Sequence, residues 1–293
     1  MIKRLPGALI LLVLLLATAG CGSSSSTGPL LNTAQTSENT QGRMIVHFLD
    51  VGQGDSIFVQ LPNGHNMLVD AGPREAGTDV VNYLKKAGVK KIDYLVATHP
   101  HEDHIGGMTA IIRRFDIDRV YMPRVTYTTK VYEDLLKGIQ AEGLKINAAS
   151  DGVEIINSGG LRAEMIAPNS AAYEEINNYS TVIKLSFGKT GFLLTGDAES
   201  QSEREMLADG YSLEADVLKV GHHGSYSSTS PAFLNAVRPK YSVISCGAGN
   251  DYGFPHAATL QKLRGIQLFR TDLDGDVVFE TDGEGLQVST ERR

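Results

Sequence analysis

The stretch Thr98-His99-Pro100-His101-Glu102-Asp103-His104 follows directly on an apolar run at 92–97. Three histidines and two acids within six residues make a poor apolar core. Imidazole nitrogen and carboxylate oxygen are ligands preferred by zinc and by harder ions such as manganese. In an extended or turning segment His99 and His101 point the same way, because side chains alternate with period two. Asp103 and His104 then turn toward a neighbouring position, so this spacing can feed two metals side by side. A solvated loop with chance histidines is the plainer reading, and two further strand ends argue against it.

The first is Leu193-Leu194-Thr195-Gly196-Asp197. An apolar strand ends in a glycine that permits a sharp turn, then a carboxylate. One Asp has two oxygens and can bridge two cations; alone it would equally cap the helix that follows. The second is Val217-Leu218-Lys219-Val220-Gly221-His222-His223-Gly224-Ser225. Adjacent side chains tend to diverge, so one of His222 and His223 is expected to ligate and the other to meet substrate or support the ligands. The spacing leaves open which. Asn178, before the strand at 181–187, is open to three roles: metal ligand through its amide oxygen, phosphate contact or turn residue. His256 is open to capping a helix, binding substrate or ligating metal. Ser180, Lys219 and Ser225 are candidate phosphate contacts. Asp50, Asp55 and Asp70 either shape their Gly-rich loops or orient the metal ligands from behind.

Apolar runs predict early strands near 44–49, 56–61 and 66–69, the last two joined by the turn signal Pro62-Asn63-Gly64. Asp79 is placed to cap a helix through Ala87. Further helices are expected near 104–115, 129–142, 199–209, 231–237 and 257–264. Further strands are expected near 118–121, 153–156, 161–166, 181–187, 191–195, 215–220, 241–245 and 276–280. The second half thus repeats the rhythm of the first. No charge block or proline-rich linker interrupts 43–293, which reads as one α/β domain, two sheets covered by outer helices.

The first forty residues read differently. Lys3 and Arg4 precede an apolar run of about ten residues, too short to cross a bilayer of roughly 30 Å. Small residues follow and then Cys21. Residues 1–20 are therefore expected to be a signal peptide, with Cys21 lipidated as in bacterial lipoproteins. Residues 21–42, opening on Gly-Ser-Ser-Ser-Ser-Thr-Gly after the cysteine, read as a polar tether. The expected location is the outer side of the cell membrane on a lipid anchor, with free secretion as the alternative. The whole chain of 293 residues carries a formal charge of −7. Residues 1–20 hold two basic and no acidic residues, so the mature chain has 25 Lys+Arg against 34 Asp+Glu, a charge of −9. Such a balance disfavours a broad basic nucleic-acid surface. Two cysteines exclude a disulfide framework, and Cys246 reads as a buried structural thiol.

The string His-x-His-x-Asp-His at 99–104 resembles the metallo-β-lactamase superfamily. More specifically, the chain is similar to the extracellular hydrolase domain of the ComEC competence family. The similarity lies at Asp50-Val51-Gly52-Gln53-Gly54-Asp55-Ser56, Val69-Asp70-Ala71-Gly72, Leu194-Thr195-Gly196-Asp197, Lys219 through Ser225, Asn250 through His256 and Arg270 through Gly275. The resemblance implies an αββα sandwich of two mixed sheets packed face to face with outer helices. It implies two divalent ions, zinc or manganese. His99 and His101 would lie on one, Asp103 and His104 on the other, with Asp197 bridging. One of His222 and His223 would complete the second site, with His223 favoured. Asp103, Asp197 and His223 are then the catalytic candidates. The chain departs from the superfamily in lacking a third histidine on the first metal, where Asn178 is the nearest polar candidate. The channel part of such proteins lies outside the resemblance, so a free-standing relative on a tether is the expectation.

Two adjacent cations activate a water and need no serine or cysteine nucleophile. The sequence therefore points to a metal-dependent hydrolase, in first place a phosphodiesterase or nuclease acting on DNA or a related phosphodiester. Hydrolysis of another exported ester (phosphorylcholine, cell-wall polymer or lactone) is the alternative, and a non-catalytic metal-binding lipoprotein is another. No protein partner is predicted. Fatty-acid labelling of the expressed chain is expected to vanish in Cys21→Ser; retained label would contradict the anchor.

Overall fold

The computed structural model describes residues 42–292; Cys21, the leader and the tether lie outside them. The first sheet is built from β1 (Met44–Phe48), β2 (Ile57–Gln60), β3 (Asn66–Val69), β4 (Lys91–Val96), β5 (Asp116–Pro123) and β6 (Ile146–Ala149). The second holds β7 (Glu154–Ser158), β8 (Leu161–Ala167), β9 (Val182–Phe187), β10 (Thr190–Leu194), β11 (Val217–Lys219), β12 (Tyr241–Ile244) and β13 (Gln267–Arg270). The chain then returns to the first sheet with β14 (Val277–Thr281) and β15 (Leu286–Thr290). The strand orders are β15-β14-β1-β2-β3-β4-β5-β6 and β13-β12-β11-β10-β9-β8-β7. In each sheet antiparallel pairing gives way to parallel pairing, from β3 to β6 and from β10 to β13.

Parallel neighbours need a crossover, and helices supply it. On the first sheet these are α1 (Gly77–Lys86), the short α2 (Glu102–Ile105) and α3 (Met108–Ile112), and α4 (Lys130–Ala141). On the second they are α5 (Ser200–Ala208), α6 (Pro231–Val237) and α7 (Ala257–Lys262), with the single turn α8 (Thr271–Asp274) before β14. Their apolar residues recur at helical spacing. In α4, Val131, Leu135 and Ile139 are buried, and Thr129 accepts a hydrogen bond from the Tyr132 amide at the start. In α6, Ser230 does the same for Phe233, with Pro231 at the first helical position.

Alternation along the strands sorts the side chains into layers. Met44, Val46, Phe48, Val59, Val69, Phe192, Leu194 and Phe279 fill the space between the sheets. Phe58, Leu68 and Leu95 face α1, α3 and α4, whose Leu84, Ile111 and Leu135 cover them. Leu193 and Leu218 meet Met206 of α5 and Phe233 of α6. The fold is the αββα sandwich the sequence implies.

Three expectations shift. Asp79 does not cap α1. The helix begins at Gly77 out of a 3-10 turn at Arg74–Ala76, and Asp79 sits in its first turn, where a negative charge suits the helix dipole. The helix expected at 104–115 is broken at Gly106-Gly107. A Cβ at Gly107 would lie 2.1 Å from the Ala71 carbonyl oxygen, so the chain here is glycine by contact and packs the histidine loop onto the loop after β3. Finally, β6, β13 and β15 escaped the apolar pattern. All three are edge strands with partly exposed faces.

His47 in β1 is buried between the Tyr83 hydroxyl at 2.9 Å and Gln60 Oε1 at 3.2 Å, stacked on Phe58. Burial lowers its pKa to about 4 against the small opposing pull of Gln60. The unfolded chain takes up this proton below about pH 6.5. The folded chain refuses it until about pH 4, so the contribution to stability is present above pH 6.5 and lost as pH falls between these values. His47→Gln is expected to flatten the decline in urea-unfolding stability over that window by roughly 3 kcal/mol. Parallel profiles for the two proteins would contradict it.

Candidate metal centre

The carboxyl ends of the parallel strands carry the polar residues, as open α/β sheets place their sites. Asp70 follows β3, Thr98 and His99 follow β4, Asp197 follows β10, His222 and His223 follow β11, and Ser245 follows β12. Asp197 is the meeting point. Its Oδ2 lies 3.3 Å from His104 Nε2, 3.4 Å from His223 Nε2, 3.7 Å from His99 Nε2 and 3.9 Å from His222 Nε2. Its Oδ1 is buried without a hydrogen-bond partner.

This donor set fits divalent cations. In a tetrahedral site with bonds of about 2.0–2.1 Å, ligand atoms stand about 3.3 Å apart. His104 Nε2, His223 Nε2 and Asp197 Oδ2 are separated by 3.2, 3.3 and 3.4 Å. Asp103 Oδ2, 3.1 Å from His223 Nε2, supplies a fourth atom. Beside this group His99 Nε2 and His101 Nδ1 stand 2.9 Å apart. His99, His104 and Asp197 form one cluster of convergent ligand atoms, and Asp103, His104 and His223 another.

The supporting contacts fix which nitrogen each ring presents. His104 Nδ1 is 2.7 Å from Asp70 Oδ2, and His223 Nδ1 is 2.9 Å from the Ser245 carbonyl oxygen. With those nitrogens donating, the Nε2 atoms are the ones left facing Asp197, to carry a proton toward it or to ligate a cation. Asp70 also accepts from the amide and hydroxyl of Thr98 at 2.8 and 2.6 Å. Asp55 donates its amide to the Asp103 carbonyl at 3.1 Å and pairs with buried Lys219 at 2.9 Å. Gly54 is required there, since a Cβ would lie 2.1 Å from the Asp103 oxygen. Asp50 stands apart from the cluster: it pairs with Arg292 at 2.5 Å and accepts the Gly52 amide.

The electrostatics are those of a centre that wants positive charge. Burial drives the His104 and His223 imidazoles toward their neutral forms. Asp197 outweighs it in both, with Asp103 and Asp70 or Asp55, and holds both pKa values well above the ordinary range. Burial would raise Asp197, but His223 and His104 keep its carboxyl well below the usual range. Burial and the neighbouring His104 push His99 well down. A cation held by His104 and His223 would have to displace their protons, so its affinity would weaken on acidification.

The structure brings His99, His101, Asp103, His104, Asp197, His222 and His223 together. His222 and His223 do not diverge as adjacent residues usually do. Both adopt left-handed backbone conformations, φ 49° and 50°, and both rings therefore face Asp197. His222 Nδ1 is held by Glu199 at 3.0 Å, which leaves its Nε2 as the nitrogen 3.9 Å from Asp197 Oδ2. Sequence reasoning overlooked Glu199, because a lone acid two residues past Asp197 carries no pattern.

The expected substrate contacts come out differently. Asn178 is buried, and its Oδ1 accepts the Glu199 and Ser202 amides, both at 3.2 Å; it caps α5. Ser180 accepts the Asp197 amide at 3.1 Å and positions that carboxylate. Lys219 is fully buried on Asp55 and the Val220 carbonyl, out of reach of substrate. Ser225 is 4% exposed and bonds Ser227 at 3.0 Å. His256 opens α7 and accepts the Tyr226 amide at 3.1 Å, beside the centre rather than in it. Cys246 is buried next to Asp272, and burial pushes its thiol up to about 12, which removes it as a nucleophile.

An αββα sandwich with a histidine–aspartate centre at the strand ends belongs to a class made up mainly of metal-dependent hydrolases. The chain is a member of the metallo-beta-lactamase superfamily, which matches residues 49–248. It is similar to ComE operon protein 3 of Bacillus subtilis, 32% identical over 253 residues, covering 80% of this chain and 32% of the relative. It is similar also to competence protein ComA of Neisseria gonorrhoeae, 34% identical over 238 residues, covering 78% of this chain and 31% of the relative. The chain thus spans about a third of the length of these relatives. In fold it resembles the metallo-beta-lactamase fold protein YhfI from Bacillus subtilis, with a TM-score of 0.53 at 12% identity over 81% of this chain and 99% of that one.

Lys219→Met is expected to leave Asp55 buried without its counter-charge and to cost about 3–5 kcal/mol in urea unfolding. Adding Asp55→Asn should recover most of the loss. A single variant within 1 kcal/mol of wild type would contradict the role given to this pair.

Proposed function

We propose that the protein is an exported, metal-dependent phosphodiesterase or nuclease held at the outer face of the cell membrane by lipid on Cys21. The observation that carries the hydrolytic part is the set of His104, His223 and Asp197 ligand atoms 3.2–3.4 Å apart, flanked by the His99–His101 pair. Two divalent ions, zinc or manganese, would be held there by these residues and would supply an activated water and a counter-charge for a phosphoryl oxygen. The chain's own part is positional. Asp70 and the Ser245 carbonyl keep the His104 and His223 protons on Nδ1. Ser180 holds the Asp197 amide, and Glu199 holds His222. The buried Cys246 offers no competing nucleophile.

The choice of phosphodiester is supported by relatives named competence protein ComA and recombination protein 2. The outward location is supported by the basic, apolar and small-residue order that precedes Cys21. Among the described residues no helix is long and apolar enough to cross a membrane.

The protein loaded with Mn²⁺ or Zn²⁺ is expected to cleave oligodeoxynucleotides and to leave lactones and phosphorylcholine esters intact. Asp197→Ala should lower turnover by at least about a thousand-fold while keeping its circular dichroism, since its Oδ2 lies within 3.3–3.9 Å of nitrogens of His99, His104, His222 and His223. Robust lactone or choline-ester hydrolysis without nucleic-acid cleavage would move the function to those esters. Wild-type turnover in Asp197→Ala would remove Asp197 from the centre.

A further inference from the structure

Rings continue outward from the histidines. Phe254 lies 5.4 Å from His222 and 6.1 Å from His223, centroid to centroid. Tyr252 stacks on Phe254 at 5.3 Å with the planes only 12° apart. On the other side of Phe254, His256 follows at 5.1 Å and Tyr226 packs on His256 at 5.1 Å. Both tyrosines end the series in solvent, Tyr226 at 71% and Tyr252 at 64% exposure. Among the described residues these two are the most exposed of the large hydrophobic side chains, ahead of Ile146 and Leu273.

Exposed aromatics on loose loops would mean little, but these loops are fixed. Asn250 donates to the Gly247 and Phe254 carbonyls at 2.9 and 2.7 Å and accepts the Phe254 amide at 3.0 Å. His256 donates its amide to the Gly224 carbonyl at 3.1 Å and accepts the Tyr226 amide through Nδ1. Thr259 ties α7 to the Ser225 carbonyl at 2.9 Å. The rings are therefore preorganised, so little freedom is lost when something stacks on them. Tyr226 lies two residues past the Gly221–Gly224 turn that carries His222 and His223, and the His256 amide ties the other segment to that turn at the Gly224 carbonyl.

We propose that Tyr252 and Tyr226 form a stacking platform for unpaired nucleobases next to the scissile phosphodiester, so that the substrate is a single strand or a frayed end. This rests on the phosphodiesterase reading and specifies its substrate. Tyr252 has one face on Phe254 and presents the other outward, which suits a flat base. A cage for a quaternary ammonium needs rings set around one point, whereas these tyrosines attach to different rings of the series. Charge favours the same occupant. A chain with 34 acidic against 27 basic residues grips a phosphate backbone poorly. Base stacking needs no such grip, and it requires bases that are not already stacked in a duplex.

The chain contains no tryptophan, so Tyr252→Trp introduces a unique reporter. Its emission in the Mn²⁺-loaded protein is expected to be quenched, saturably, by a short phosphorothioate strand of thymidines. An abasic strand of equal length should not quench it. In cleavage, Tyr226→Ala/Tyr252→Ala should lose roughly ten-fold or more in kcat/KM on a base-bearing single strand, chiefly through KM. It should stay within about two-fold of wild type on the abasic strand. Emission indifferent to the thymidine strand, equal quenching by the abasic strand, or quenching by choline phosphate instead would overturn the platform. Quenching by bases without cleavage of any phosphodiester would leave the platform standing and sink the hydrolytic reading.

Discussion

A single buried carboxylate organises this molecule. Asp197 stands at the end of β10 with one oxygen inside a ring of imidazole nitrogens at 3.3–3.9 Å and the other without a partner. Such a group is expensive to bury unless positive charge accompanies it. Protons on His104 and His223 answer that demand in part, and divalent cations answer it fully. The rest of the fold can be seen as the means of holding the four rings around this oxygen. Two parallel sheet regions deliver the ligands from their carboxyl ends. Packed glycines let the loops touch, and Asp70, Asp55 and Glu199 stiffen the rings from behind.

The distribution of strain is consistent with that purpose. Asp70, His222 and His223 all take positive φ, a conformation that non-glycine residues rarely adopt. Each contacts the cluster around Asp197 directly or through one ring. Residues held this way persist only where surrounding structure over-determines them. Here the determinants are visible: the Thr98 and His104 contacts to Asp70, the Ser245 carbonyl under His223 and Glu199 under His222.

Much of the architecture was legible in the sequence because the central parallel strands are buried on both faces and so read as continuous apolar runs. β4 and β10 are of this kind. The edge strands β6, β13 and β15 were not legible, since a half-exposed edge needs no such run. The ligand types at 99–104 and at Asp197 could be read because several metal-preferring residues crowd at strand ends. What pattern could not show was which polar residues the fold would turn inward. Lys219 looked like a phosphate contact but lies on the buried face of β11, and Asn178 looked like a ligand but serves the start of α5. Nor does spacing reveal a left-handed turn that aims two adjacent histidines at one oxygen.

The central claim is that Asp197 is shared between two cations. Anomalous scattering from crystals of the protein grown with Mn²⁺ or Zn²⁺ tests it directly. Two peaks are predicted, one among Asp103, His104 and His223 and one at His99 and His101, both in contact with the Asp197 carboxylate. A single peak, or peaks that leave Asp197 uncoordinated, would contradict the account.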